Sequence, residues 1–425
     1  MNADILKNIA HTYGTPSYIF NVDELESRLN TIKQILGEGI DVLYAMKANP
    51  FLVPVMSRLG MRFEVCSPGE FAICENEHVN MQDIVLSGVN KERADIEHVM
   101  DDCGGVGIYT IESVRHFQLL ASMAEKRSTV IHVLLRVTSG NQFGLDEEDI
   151  ENIISKRDEF KYVDIRGIQC YTGTQKKKSD HIDKEIDWLD SLCDRLYEKY
   201  GYKAEEFEYG PGLFVSYFEP DVDNNNYDML RALAAKLDTI RDKYHISLEM
   251  GRYIAATCGL FLTRVEDIKY NKEQHYCIVD GGINHINYYG QTMAMKLPVT
   301  EHIPMDVDAS KTFAMSDACA LLGNELVQKS EGTVHWNVCG SLCTVGDVIV
   351  KNLELTDLKI GDMLVFHNIG AYSVTEGIYL FLSRNLPNII EYSSKNGARL
   401  LRGQNPTYVI NSQIPVSYTH LRAHE

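Results

Sequence analysis

The sequence predicts an α/β protein, a (β/α)8 TIM-type barrel joined to a C-terminal, mostly β domain. Three observations predict it. Short runs rich in Val, Ile, Leu and Tyr alternate with longer helical patterns, and several runs are continuously apolar, as parallel strands covered on both faces are. Eight strand-then-helix units fit into roughly two hundred residues, which is the arithmetic of a closed barrel. After about Leu260 the pattern changes to strand-like runs separated by turns, with few long helices.

In chain order the expected barrel strands are Asp41–Met46, Met61–Val65, Ile84–Ser87, Val106–Tyr109, Val130–Val137, Ile165–Tyr171, Phe207–Tyr209 and Ile246–Met250. Helical patterns lie between them at Glu112–Lys126, Asp146–Phe160, Ser179–Tyr200 and Tyr227–Tyr244. An open doubly wound sheet competes, but no G-x-G-x-x-G marks a dinucleotide loop, and Gly104-Gly105-Val106-Gly107 reads as a turn before a strand. Phe261–Val265, Tyr276–Val279, Val348–Val350 and Met363–Phe366 are expected strands of the second domain. The run Tyr18–Val22 could supply a barrel strand, although residues 1–34 as a whole are assigned to a segment contributing to the β domain. The barrel is assigned to 35–262 and the β domain to 263–412. Residues 413–425 show neither periodicity nor a plausible ending and read as a non-native tail resembling translated adapter sequence.

Composition excludes several classes. With 44% hydrophobic and 24% charged residues over 425 positions, disorder and coiled coil are poor readings. A net charge of −19 argues against nucleic acid or an anionic membrane surface as partner. No apolar run reaches the roughly 18 residues of a membrane span. The start, Met1-Asn2-Ala3-Asp4, lacks the regions of a secretion signal, and the ten scattered cysteines have no zinc-type paired spacing. A reducing cytoplasm with free thiols is the expectation.

A barrel gathers its chemistry at the carboxyl ends of its strands. There the sequence offers Lys47, Cys66-Ser67, Ser87-Gly88, Arg136, Tyr171-Thr172-Gly173-Thr174, Gly210-Pro211-Gly212 and Glu249-Met250-Gly251-Arg252. A lysine directly after an apolar strand is unusual, because an unpaired buried ammonium is costly. One lysine beside glycine loops, an arginine and an acid suits an aldehyde cofactor that carries a phosphate. The amine would form a Schiff base, the loop N–H groups and Arg252 would take the phosphate, and Glu249 would keep a pyridine nitrogen protonated. The plainer reading of an isolated lysine is a strand-end side chain snorkelling to solvent.

The residues also carry a resemblance. Tyr44-Ala45-Met46-Lys47-Ala48-Asn49 resembles the cofactor-lysine motif of the fold-type III pyridoxal-phosphate decarboxylases, the ornithine/diaminopimelate/arginine decarboxylase family with an alanine racemase-like barrel. The likeness runs in order from residue 10 to 400 through Tyr13-Gly14-Thr15-Pro16, Phe63-Glu64-Val65-Cys66-Ser67-Pro68-Gly69-Glu70, Gly167–Gln175, Glu208-Tyr209-Gly210-Pro211-Gly212, Glu249–Arg252, Gly340-Ser341-Leu342-Cys343 and Gly370-Ala371-Tyr372.

The resemblance implies a cytoplasmic, homodimeric amino-acid decarboxylase with pyridoxal 5′-phosphate as cofactor and active sites shared between subunits. It implies Lys47 as the Schiff-base lysine and Cys343, supplied by the other subunit, as proton donor to the decarboxylated product. Arg136, Tyr171, Thr174, Gly210, Gly212, Glu249, Arg252 and Tyr372 are implied around the cofactor, and Tyr288, Tyr289 and Thr344 around the substrate. Without the resemblance, Tyr372 reads as core, Arg136 as a salt-bridged barrel arginine, and each other cysteine as an inert buried thiol.

Departures from the family narrow the substrate. Tyr171 stands where the family stacks a histidine, and Thr174 replaces a serine. Thr344 stands where an acid reads a distal amine, and Val279–Tyr289 contains no arginine to grip a distal carboxylate. Diaminopimelate, ornithine and arginine are therefore poor substrates, and a neutral-tailed or carrier-tethered amino acid fits better, with like charge weighing against an acidic carrier protein. Lys176-Lys177-Lys178 reads as a solvated charge run. Asp180–Glu185 has ligand-type residues but opens a helix, where carboxylates suit the macrodipole, so no metal is expected. Asp280 and His285 receive no role. The rival readings are an amino-acid racemase, which lacks a use for Cys343, and a catalytically silent cofactor-binding homologue.

Overall fold

The structure is a computed structural model that describes residues 1–220, 222–305 and 332–413. The tail expected at 413–425 lies, beyond its first residue, outside the described residues. Two compact units divide the chain. One comprises Glu26–Val215 and Asn224–Ala255; the other comprises Met1–Leu25, Ser216–Asp223 and Ala256–Glu425.

The first unit is a closed barrel of eight parallel strands: Ile40–Ala45, Arg62–Val65, Ile84–Leu86, Ile108–Ile111, Ile131–Arg136, Val163–Tyr171, Glu206–Gly210 and His245–Met250. The last strand pairs with the first, Glu249 opposite Leu43. Each of the eight expected strands is present, with one shift. The strand expected at Val106–Tyr109 begins only at Ile108. Gly105 holds φ +87° and Gly107 passes so close to the Gln82 carbonyl that a Cβ would lie 2.2 Å from it, so a tight turn precedes any pairing.

Helices start and stop where local chemistry dictates. Ser113 caps Val114–Arg127 by accepting the His116 N–H at 3.1 Å. Ser179–Tyr200 ends at Gly201 in the left-handed region, φ +63°. The helix expected through Tyr244 stops at Leu237. There the Thr239 hydroxyl donates to the Lys236 carbonyl at 2.7 Å and diverts an acceptor that the next helical turn would need. Deep in the barrel, Leu43, Val85, Ile108 and Leu134 from separate strands form an apolar layer.

The second unit is a nine-stranded sheet. Its main path runs Val348–Thr356, Thr333–Cys339, Gln274–Val279, Gly259–Asn271, Ser17–Asn21, Asn388–Ser393, Gly397–Arg402. Met363–Phe366 pairs with Gly259–Asn271 and carries Thr300–Ile303 on its other edge. Tyr18 to Asn21 therefore belong to this sheet and not to the barrel. Ser17–Asn21 is antiparallel to Gly259–Leu262 and parallel to Asn388–Tyr392, and the Tyr18 hydroxyl reaches the His285 carbonyl and Ser373 Oγ at 2.5 and 2.7 Å. Leu6, Ile9, Ile19, Leu262 and Ile390 pack its core. Among the described residues no helix is long and apolar enough to cross a membrane.

Candidate active site

Register decides which side chains face the barrel axis, because residues paired across parallel strands point to the same face. Leu43 and Val85 belong to the apolar layer, so their partners Glu249 and Glu64 also face inward. Arg136 pairs with Gln169, Gln169 with Glu208, and Tyr171 with Gly210. The result is a buried polar layer of Glu64, Arg136, Gln169, Glu208 and Glu249. Groups of this kind are tolerated in an interior only when they satisfy one another or a ligand.

Lys47 sits in the 3-10 turn Met46–Ala48 directly beyond the first barrel strand. Its Nζ lies 3.0 and 2.7 Å from the two Glu64 oxygens, and the Cys66 thiol donates to Glu64 Oε1 at 2.8 Å. Burial alone raises the Glu64 carboxyl, but the Lys47 charge and the hydrogen bonds from Cys66 and Lys47 outweigh it and hold the group below its usual range. The Cys66 thiol is pushed far up by burial and by Glu64, so it is a donor and not a thiolate.

Across the layer, Glu249 accepts a hydrogen bond from Gln169 Nε2 at 2.8 Å and shares another with Glu208. Burial raises both acids, and the Glu249 charge raises Glu208 further. Glu208 is raised the further of the two, so it is the partner that keeps the proton in their shared hydrogen bond. Arg136 pairs with buried Glu112 at 3.1 Å and lies 4.8 Å over the Phe143 ring. The salt-bridged reading of Arg136 is thus the geometry observed.

The loops beyond these strands come unusually close. Gly212 has φ +58°, and a Cβ there would sit 1.9 Å from the Gly173 carbonyl. A Cβ on Gly210 would run into the Tyr171 ring at 2.6 Å, and Gly251 packs on Ala48 and the Ala45 carbonyl. Tyr171 hydrogen-bonds Thr174, and its hydroxyl, raised by burial, feels the charges of Lys47, Arg252 and Glu249 together.

Comparison with known proteins agrees with this geometry. The family model for "Pyridoxal-dependent decarboxylase, pyridoxal binding domain" matches residues 22–256, more than half of the chain. The chain belongs to this family. A relative from Niallia circulans, the decarboxylase of L-glutamyl-(BtrI acyl-carrier protein), is 26% identical over 94% of this chain and 93% of its own. The diaminopimelate decarboxylase of Pseudomonas fluorescens is 28% identical over 86% of this chain and 85% of its own. In fold, the chain resembles the diaminopimelate decarboxylase of M. jannaschii solved with L-lysine, at TM-score 0.79, 22% identity, and coverage of 96% and 94%.

Pyridoxal phosphate is the cofactor of these decarboxylases, and the residues present fit it. Lys47 offers an amine and Glu249 a carboxylate, and Gly210 and Gly212 let the strand-end loops approach more closely than any Cβ would permit. Gln169 Oε1 and Glu208 Oε1 are buried with hydrogen-bonding capacity to spare.

The remaining residues that the sequence resemblance implied for the site lie in the second unit. Cys343 is exposed on a loop held by buried Asp347, which accepts the Leu342 and Ile283 N–H groups at 2.7 and 2.9 Å. Thr344 is exposed on the same loop, and its hydroxyl accepts from the Gly346 N–H. Tyr372 holds a left-handed backbone, φ +65°, which a bulky residue adopts only where its surroundings enforce it, here through three hydrogen bonds to its carbonyl from Thr375 and Glu376. Tyr289 is half exposed, but Tyr288 is not available as imagined. Its hydroxyl is spent on the His367 carbonyl at 2.7 Å, and its ring packs on Tyr217 and Phe218.

Other sequence expectations are also corrected. Lys176 is no solvated charge: it pairs with Glu185 at 2.6 Å and lies over Tyr209, while Lys177 stacks on Phe214 at 4.2 Å. Asp280 accepts from Thr15, Thr263 and the Arg264 N–H, and His285 is bound to the Asn385 carbonyl, so both serve the fold. Glu64, Gln169 and Glu208 were missed as site residues, and Cys66 was noted only as a strand-end residue. For Glu64 and Glu208 the signal was a polar side chain at every second position, as in Arg62-Phe63-Glu64 and Glu206-Phe207-Glu208.

Proposed function

We propose that the chain removes the α-carboxylate of an amino acid whose side chain ends in neither a free amine nor a free carboxylate. When bound, pyridoxal phosphate supplies an aldehyde for the substrate amine and a ring that takes up the electron pair left by departing carbon dioxide. Lys47 would hold the aldehyde through its amine. Glu249, which accepts the Gln169 Nε2 hydrogen bond, would face the ring nitrogen and favour its protonated form. Glycine backbones and Arg252 would hold the phosphate, and Tyr171 would offer the heterocycle an aromatic face.

Cys343 Sγ delivers a proton to the α-carbon, acting on the site of a second copy of the chain. Support for this comes from its loop: Cys343 is exposed, its neighbour Val345 is fully so, and Ile378, Leu380, Phe381 and Leu382 form an exposed apolar run in the same unit. The observation that carries the whole reading is a single amine, Lys47, held at the end of the first barrel strand by buried Glu64 in the same polar layer as Glu249.

The substrate reading rests on the missing charge readers, Thr344 after Cys343 and no arginine in Val279–Tyr289. An amino acid with its distal carboxylate masked in an amide or thioester linkage meets these conditions, and the Niallia circulans relative acts on a tethered glutamyl group. Carbon dioxide release, followed over free amino acids and glutamate derivatives masked at the distal carboxylate, tests this. Turnover of a masked derivative, lost in Lys47→Ala, supports it. Faster turnover of diaminopimelate or ornithine overturns the substrate assignment, and spectral silence toward every compound overturns the enzyme.

A further inference from the structure

Away from the barrel mouth, the helix Pro68–Asn76 ends beside the helix Arg93–Asp101, and three side chains with ligating atoms meet there. Glu75 stands in the last turn of the first helix, His98 in the last turn of the second, and Cys103 in the turn that follows. Glu75 Oε1 is 2.9 Å from His98 Nε2 and 3.3 Å from Cys103 Sγ, and Cys103 Sγ is 3.8 Å from His98 Nε2. In a tetrahedral zinc centre with ordinary bond lengths, such atoms are separated by about 3.3 to 3.6 Å. Closing on an ion therefore requires movements of only a few tenths of an ångström.

The surroundings have the organisation of a second ligand layer. His98 Nδ1, the nitrogen turned away from the cluster, is 2.8 Å from Asp102 Oδ2, the carboxylate–histidine pairing that fixes a ligand's tautomer. The Phe71 ring edge, 6.1 Å between centroids, sets the imidazole plane. Cys103 is turned back onto the cluster by backbone chemistry: its N–H donates to the His98 carbonyl at 3.3 Å, and Gly104 and Gly105 follow with φ +76° and +87°. This gives the Gly104-Gly105 turn a purpose beyond starting a strand. A groove of about 170 Å³ between the two helices is lined by Glu75 and His98 and opens to solvent, leaving an entry path.

We propose that Glu75, His98 and Cys103 bind a zinc ion on the outer helical layer of the barrel, with Asp102 orienting His98 and a water in the fourth position. The mixed thiolate, imidazole and carboxylate set favours zinc over hard cations such as magnesium or calcium. The ion would tie the ends of two consecutive barrel helices together. This departs from the sequence-based expectation of no metal, and it does not depend on the decarboxylase reading.

The test uses cofactor-loaded protein stripped of metals and titrated with zinc chloride, with cobalt(II) as a spectroscopic probe of thiolate coordination. Expected results are one tight equivalent of zinc per chain and visible thiolate–cobalt bands. Cys103→Ser and His98→Gln should lose both, and Asp102→Asn, at an exposed position, should weaken zinc binding about 10- to 100-fold. Zinc should raise the unfolding temperature of the wild type but not of Cys103→Ser. Equal zinc uptake by wild type and all three variants, or none by the wild type, overturns the site. Far-ultraviolet circular dichroism of the metal-free variants confirms that they fold, and Asp102→Asn decides the matter if either ligand variant does not.

Discussion

Glu64 grips the ε-amine of Lys47 from inside the barrel, Oε2 to Nζ 2.7 Å, while the same carboxylate takes the Cys66 thiol. The acid is buried and the amine reaches outward, so the ion pair points the lysine toward the mouth. An adjacent carboxylate favours the protonated amine, yet only the neutral amine adds to an aldehyde. Glu64→Gln is therefore expected to shift the pH dependence of pyridoxal phosphate uptake by cofactor-free protein to lower pH, by about one unit or more. Stopped-flow absorbance across pH measures it, and a shift upward would contradict the pairing.

Glu208 supplies a stability prediction. Its native carboxyl is raised far above the usual range by burial and by Glu249. Between the ordinary carboxyl value of about 4.3 and that raised value, the unfolded chain gives up a proton that the native chain keeps, so stability falls as pH rises through this window. Glu208→Gln keeps a donor for Glu249 but cannot ionise. It should match the wild type near pH 5 and exceed it at pH 8 by about 2 °C or more in thermal unfolding of cofactor-free protein. Equal differences at both pH values would rule out Glu208 as the proton-keeping partner.

Gly212→Ala places a methyl group against the Gly173 carbonyl in a loop already held at φ +58°. The loop must move, and pyridoxal phosphate affinity should fall at least tenfold, about 1.4 kcal/mol, with the barrel still folded. Equilibrium dialysis with circular dichroism as the folding control measures both. Unchanged affinity would mean that this close approach does not shape the phosphate site.

Cys343→Ala should lower kcat about 10²- to 10⁴-fold with little change in KM, the pattern of a lost proton donor. Mixing it with Lys47→Ala, each inactive alone, should restore about a quarter of wild-type activity, because half of randomly formed dimers are hybrids with one intact site in two. No recovery from the mixture would place Cys343 within its own chain's chemistry.

Much of the barrel was legible in the sequence because parallel strands covered on both faces leave continuous apolar runs, as at Ile246–Met250. The segment Tyr18–Val22 shows the limit. Its composition marks a strand, but nothing local says which sheet takes it, and pairing with Gly259–Leu262 is a decision made across the whole chain. The site divides in the same way. Lys47, Glu249 and Gly212 stand at strand ends or in glycine turns and could be found there. Glu64 and Glu208 could be placed only once register showed that they share the inner face with Ala45 and Gln169. Tyr288 looked like a substrate contact because the sequence shows a tyrosine but not the carbonyl that occupies it.

Three carboxylic acids, Glu64, Glu208 and Glu249, stand in one buried storey of the barrel, and main-chain register prevents them from moving apart. The crowding is met by the Lys47 charge on Glu64 and by the proton that Glu208 keeps. A cationic heterocycle held by Glu249 would lessen the remaining strain, so cofactor capture and barrel stability would be linked. Neutralising Glu208 would make the scaffold sturdier, whereas Glu64, clasped by Lys47 and Cys66, is an acid the fold would miss.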